Sequence, residues 1–262
     1  MKIKIPLMAC AIIAFGPLTI VNAQTSPARS TPAATKPSSS SATTGSPSSS
    51  GSPAAAARTD VYHVHFNKAA LGKSSQLADD LKKPDPTDPM SGHVLILRHQ
   101  EGDAWDYCAI QHLGPKATVD AARPAPSPAA LSDWHDDTFV NGPSWAEFTK
   151  AMGIDDSGKS KSTGSVYVVS VYRPAAGHRQ DLEKMLSEGP GSGDTIAGNV
   201  LLQHLEGGAW SFLGIARYNS WSDFATSESN AVAETNKNQG GWARLREHAS
   251  FHKDTVCDRI AP

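Results

Sequence analysis

The chain has 262 residues, enough for one large domain or two small ones, and its 39% hydrophobic content is low for a folded protein of that size. The formal net charge is −2, and loss of Lys2 and Lys4 with a leader would take it from −2 to −4. That balance excludes the electrostatic footprint of a nucleic-acid-binding protein or of one held on an anionic membrane.

Residues 1–23 read as a signal peptide. Lys2 and Lys4 form a basic start, Ile5 to Val21 an apolar run, and Val21-Asn22-Ala23 a small-residue cleavage site. An uncleaved anchor is the weaker reading, because the run barely reaches spanning length and is broken by Pro6, Gly16 and Pro17. A lipoprotein reading at Cys10 leaves too short an apolar stretch before the cysteine. The expected address is secreted or periplasmic, with no stable membrane insertion after cleavage. Residues 24–59 follow as a low-complexity linker of Ser, Thr, Pro, Ala and Gly. Such a segment cannot bury enough apolar surface to offset chain entropy, so it is expected to be disordered.

Structure is expected from Asp60. Val61 to Phe66 alternates as a strand does, a loop with Gly72 follows, and Lys73–Lys83 reads as a helix stopped by Pro84 and Pro86. A second strand covers His93–His99, then an E-G turn leads into a third strand from Trp105. The same order returns 105 positions later. Sliding 61–110 onto 166–215 without a gap pairs 14 identical residues, including L-x-H-x-E-G-x-A-W at Leu97–Trp105 and Leu202–Trp210. This points to a tandem duplication, with units at 60–164 and 165–262. Each unit ends in a helix signature, Ser144-Trp145-Ala146-Glu147-Phe148 and Ser220-Trp221-Ser222-Asp223-Phe224, with serine as N-cap. The first unit carries an insertion at about 114–143, rich in Pro and Ala. The closing strand is clear only in the second unit, over Ala249–Ile260. His135-Asp136-Asp137-Thr138 resembles His252-Lys253-Asp254-Thr255, but it stands on the wrong side of the S-W helix. Either the likeness is accidental or the insertion rebuilt the closing strand.

The order β-α-β-β-α is the ferredoxin-like plan, and two such units in tandem resemble the dimeric α+β barrel superfamily. The echoes are the opening V-Y-x-V strand, the Arg173–Gly177 turn and the S-W-x-x-F helix start. The resemblance implies an α+β fold in which two fused ferredoxin-like units form a pseudo-symmetric barrel around a ligand cavity, with helices outside. It implies a monomer, because fusion supplies the partner unit. On that plan the apolar Tyr62/Val64/Phe66 face packs on helices, and His63 and His65 point into the barrel.

Three histidines are candidate bases: His63 and His65, about 7 Å apart on one strand face by strand rise, and His99. His63-x-His65 could also hold one transition metal with a third ligand from a facing strand, although no metal ligand is assigned and the cofactor stays unknown. His204 is the repeat of His99, and each could simply hydrogen-bond the E-G turn that follows it. Trp105, Tyr107, His204 and Trp210 are the candidate ligand contacts for a small apolar or aromatic molecule. Repeated tryptophans also serve cores. Cys108 and Cys257 are an even pair, read either as a disulfide or as buried thiols. No P-loop, G-x-G-x-x-G, C-x-x-C or G-x-S-x-G is present, which argues against nucleotides, dithiol redox chemistry and common serine hydrolysis. The reading is an exported small-molecule-binding barrel, extending to cofactor-free monooxygenase- or isomerase-like chemistry. The alternatives are a metal or haem barrel and a non-catalytic binding module.

Overall fold

The computed structural model describes residues 57–84, 90–115, 130–154, 164–189, 191, 193–206, 208–237 and 240–262. The signal-peptide reading and nearly all of the linker lie outside them. The elements in chain order are β1 (Asp60–Ala69), α1 (Ser74–Leu81), β2 (Val94–Glu101), β3 (Tyr107–Pro115), β4 (Ser132–Gly142) and α2 (Trp145–Met152). The second half continues with β5 (Val166–Pro174), α3 (Arg179–Ser187), β6 (Ile196–Glu206), β7 (Phe212–Tyr218), α4 (Trp221–Asn236), α5 (Gly241–His248) and β8 (Ala249–Ala261).

The eight strands close into one antiparallel barrel in the order β1-β3-β2-β8-β5-β7-β6-β4. Cut at its two seams, β2·β8 and β4·β6, this is β4-β1-β3-β2 followed by β8-β5-β7-β6. Each half has ferredoxin-like order, so the fold is α+β with two fused units in a pseudo-symmetric barrel. The 105-residue offset survives in the hydrogen-bonded registers. Val64 faces Ile110 as Val169 faces Ile215, and Leu97 faces Cys108 as Leu202 faces Leu213.

The closing strands obey a different offset. His135, Asp137 and Thr138 pair with Asn67, His65 and Val64, while His252, Asp254 and Thr255 pair with Tyr172, Ser170 and Val169. The H-x-D-T likeness is therefore one structural position occupied twice. In the first half the closing strand lies inside the insertion, ahead of the S-W helix rather than after it.

That displacement frees α2 for another task. Ser144 and Glu147 form a full capping box, and Gly153 ends the helix at φ 65. Phe148 and Met152 then enter the barrel's core. Tyr62 Oη donates to the Pro143 carbonyl at 2.7 Å, and Tyr167 Oη to the Met152 carbonyl at 2.8 Å. These tyrosines open β1 and β5, so α2 closes one end of the barrel with contacts to both halves. A side chain at Gly198 would put its Cβ 2.0 Å from the Ala151 carbonyl oxygen, so only glycine lets β6 pass this helix.

The predicted faces of β1 are reversed. Tyr62, Val64 and Phe66 belong to the core cluster that draws on all eight strands, with Leu95, Ile110, Val169, Leu202 and Cys257 among its members. An eight-stranded barrel is just wide enough for its own side chains to fill, so the apolar face of each strand turns inward. His63 and His65 therefore point outward. Helices α1 and α3 instead cover Tyr107 and Phe212, one register over. Cys108 and Cys257 are free buried thiols flanking β2, and burial pushes both thiols well above the ordinary cysteine range.

Candidate functional site at the open end of the barrel

The end opposite α2 holds a cavity of about 320 Å³, within the range of small-molecule pockets, at its lower end. Strand alternation selects its walls. On β4, Trp134 and Asp136 face inward while His135 and Asp137 face outward. On β8, Phe251, Lys253 and Thr255 face inward. Phe66 of β1 and Val169, Val171 and Arg173 of β5 form the sides. Trp105 and Trp210 reach the cavity from opposite halves. Trp105 and Trp210 are 4% and 8% exposed, whereas Trp134 and Phe251 stand at the rim, 37% and 38% exposed.

The two halves supply matched walls and unmatched charges. Trp105 answers Trp210 and Trp134 answers Phe251, but Asp136 occupies the position that Lys253 holds in the other half. Lys253 Nζ donates to Asp103 Oδ1 at 2.5 Å, which neutralises both. Asp136 makes no ion pair among the described residues. Burial, with the adjacent Asp137 charge, pushes its carboxyl above the usual range. The Arg173 guanidinium lies over the Phe251 ring at 5.5 Å. The result is an aromatic slot with one unpaired carboxylate in its wall.

The sequence-predicted residues divide into three groups. Trp105 and Trp210 line the cavity. His99 and His204 stand behind them, with ring centroids 5.7 and 4.9 Å from Trp105 and Trp210. His204 Nε2 accepts from the Gly208 N–H at 2.8 Å, the turn-bonding role. His99 Nε2 is buried without a hydrogen-bond partner. Tyr107 lies on the barrel's outer face, buried beneath α1, where its hydroxyl meets Ser74 Oγ at 2.7 Å. It is no cavity contact, because it shares its face with Ala109 and not with Cys108. Reasoning from sequence missed Trp134, Asp136, Arg173, Phe251 and Lys253. The signal for Trp134 and Asp136 was the H-x-D-T likeness, since placing a closing strand there turns both inward.

His63 and His65 lie on the outer face of β1 with His135 and Asp137 of β4. His63 Nε2 is 3.1 Å and His65 Nε2 3.3 Å from Asp137 Oδ1, and His135 Nε2 is 3.4 Å from Asp137 Oδ2. The His63 and His65 side chains are 9% and 14% exposed. Burial lowers the His65 pKa to about 4 against the pull of Asp137, so its imidazole is neutral near pH 7. Burial acts against ionising Asp137, but the surrounding imidazoles of His63, His65 and His135 hold its carboxyl below the usual range.

No protein-family model matches the chain, and no curated protein matches it in sequence. Solved structures do match in fold. An anthrone oxidase-like protein superposes with a TM-score of 0.51 at 11% identity, covering 79% of this chain and 93% of its own. The likeness is one of fold, an α+β barrel. A candidate monooxygenase from Fusobacterium nucleatum (TM-score 0.49, 7% identity, 77% of this chain and 93% of its own) also aligns. So does one from Lactobacillus acidophilus (0.47, 9%, 77% and 94%). Among the described residues no helix is long and apolar enough to cross a membrane.

Proposed function

We propose that the protein binds a small aromatic molecule in the open end of its barrel. The observation that carries this reading is the cavity itself, walled by Trp105, Trp134 and Trp210 from both halves with Asp136 in one wall. Flat aromatic ligands stack on such walls in offset or edge-to-face contact, and a carboxylate fixes orientation by accepting from a ligand O–H or acidic C–H. The reading extends to a cofactor-free oxygenation of an activated aromatic ketone, the substrate type named for the anthrone oxidase-like neighbour. There Asp136 takes the proton from the activated carbon, O2 adds to the carbanion, and loss of water leaves the quinone. Asp136 takes the base role in place of His63 and His65, which face away from the cavity, and of His99 and His204, which sit behind the tryptophans.

The N-terminal pattern of 1–23 supports export to a secreted or periplasmic location, and mass spectrometry of the mature protein is expected to find Gln24 first. The closed barrel contains both units in one chain, which supports a monomer. The binding test is tryptophan fluorescence during titration with anthrone under argon, followed by oxygen uptake in air. Saturable quenching that weakens at least 10-fold in Trp210→Ala, with uptake lost in Asp136→Asn, is the expected result. Quenching unaffected by Trp210→Ala would remove the cavity as the site.

A further inference from the structure

We propose that the outer face of β1 and β4 binds one divalent transition-metal ion of the zinc class, through His65, His135 and Asp137 with His63 as fourth ligand. The donor set is three imidazole nitrogens and one carboxylate, the chemistry that zinc and its neighbours select over calcium or magnesium. His65, His135 and Asp137 each offer a ligand atom within 4.8 Å of the other two. Zinc–ligand bonds of 2.0–2.1 Å in a tetrahedron set ligand atoms roughly 3.3 Å apart. His63 and His65 Nε2 have that spacing from Asp137 Oδ1, 3.1 and 3.3 Å, and His135 Nε2 lies 3.4 Å from the other carboxylate oxygen, Oδ2.

A second observation points to a ligand. The Nε2 atoms of His63 and His65 are buried with no hydrogen-bond partner. Both face one shared oxygen, Asp137 Oδ1, at 3.1 and 3.3 Å. A buried nitrogen left this way carries an uncompensated desolvation penalty, removed if its lone pair points at a cation.

The second half supplies an internal control. At the positions of His63 and His65 it has Val168 and Ser170. Its His252 Nε2 closes on Asp254 Oδ2 at 2.6 Å, with Trp242 and Tyr172 packed on the ring. The same register folds there without a polar cluster, so the barrel does not require one. A further group, His178, Asp181 and His248, is spatially close. Its two imidazoles already face each other, Nδ1 to Nδ1 at 3.2 Å, and it has no orphaned nitrogen.

The test is calorimetric titration of the untagged, chelator-stripped full chain with Zn²⁺, repeated with Co²⁺ in a spectrophotometer. One ion per chain is expected. His65→Ala and Asp137→Ala are expected to weaken it at least about 100-fold, beyond the range of outer-shell changes, and His252→Ala and His178→Ala to leave it unchanged. Wild-type protein loaded with Co²⁺ should show the intense visible absorption of a tetrahedral site and lose it on Zn²⁺ addition, a readout independent of variant folding. The absence of a stoichiometric ion, binding unchanged in both His65→Ala and Asp137→Ala, or a weak octahedral spectrum would each overturn the proposal.

Discussion

The two outer faces that flank the closing strands share a register and differ in chemistry. On β1 and β4 four groups converge: His63, His65, His135 and Asp137. On β5 and β8 the equivalent places hold Val168, Ser170, His252 and Asp254, and the last two satisfy each other under Trp242. The difference separates what the fold needs from what a site needs. Barrel closure needs inward apolar alternation and paired edges, which both halves have. It does not need two buried imidazoles crowded on one carboxylate oxygen, which only the first half has. The S-W-x-x-F helices differ in the same way. Trp145 stacks on His93 and His112 and Phe148 is fully buried, while Trp221 is 56% exposed.

The sharpest way to break this contrast is at the two helices. Phe148→Ala removes a fully buried ring from the barrel core and is expected to destabilise by about 3–5 kcal/mol. Trp221→Ala in α4 is expected to stay within about 0.5 kcal/mol. Urea unfolding of both variants measures the difference, and equal losses would contradict the assignment of α2 as the barrel's closure.

The next effect is a pH dependence confined to the first half. In the metal-free protein the folded His65 imidazole takes its proton only near pH 4, against 6.5 when unfolded. Between these values the unfolded state holds more protons, so stability falls as pH drops from about 6.5 to about 4. The loss is on the order of 2–3 kcal/mol. His65→Ser gives the first half the second half's residue and should flatten that slope, as read by unfolding midpoints from pH 7 to 4. A slope unchanged in His65→Ser would place the acid sensitivity elsewhere.

A smaller effect concerns the thiols. Cys108 and Cys257 are buried and their pKa values are raised, so alkylation at pH 7 should modify neither in the native protein and both after unfolding. Mass spectrometry decides it, and a mass two hydrogens lower with no alkylation after unfolding would show a disulfide instead.

Much of the fold was legible in the sequence because strands and their repeat leave a period. The 105-residue offset carried the hydrogen-bond register from Val64/Ile110 to Val169/Ile215 intact. The orientation of β1 was not legible, because Tyr62/Val64/Phe66 is the apolar face whether it meets helices or a barrel interior. Only closure of the barrel decides between them. The cavity was half legible. Trp105 and Trp210 announce themselves by repetition. Asp136 and Lys253 sit at one structural position under opposite charges, so no likeness between them could appear. His63 and His65 were visible as a pair, but their companions come from a closing strand displaced to the other side of its helix. Sequence order alone hid that neighbour.

The contrast between the two faces is tested most directly by anomalous diffraction at the zinc edge, on crystals of the chain grown with equimolar Zn²⁺. The account predicts one peak among His63, His65, His135 and Asp137 and none beside His252 and Asp254. A peak at His178, Asp181 and His248 instead, or equal peaks on both closing strands, would contradict it.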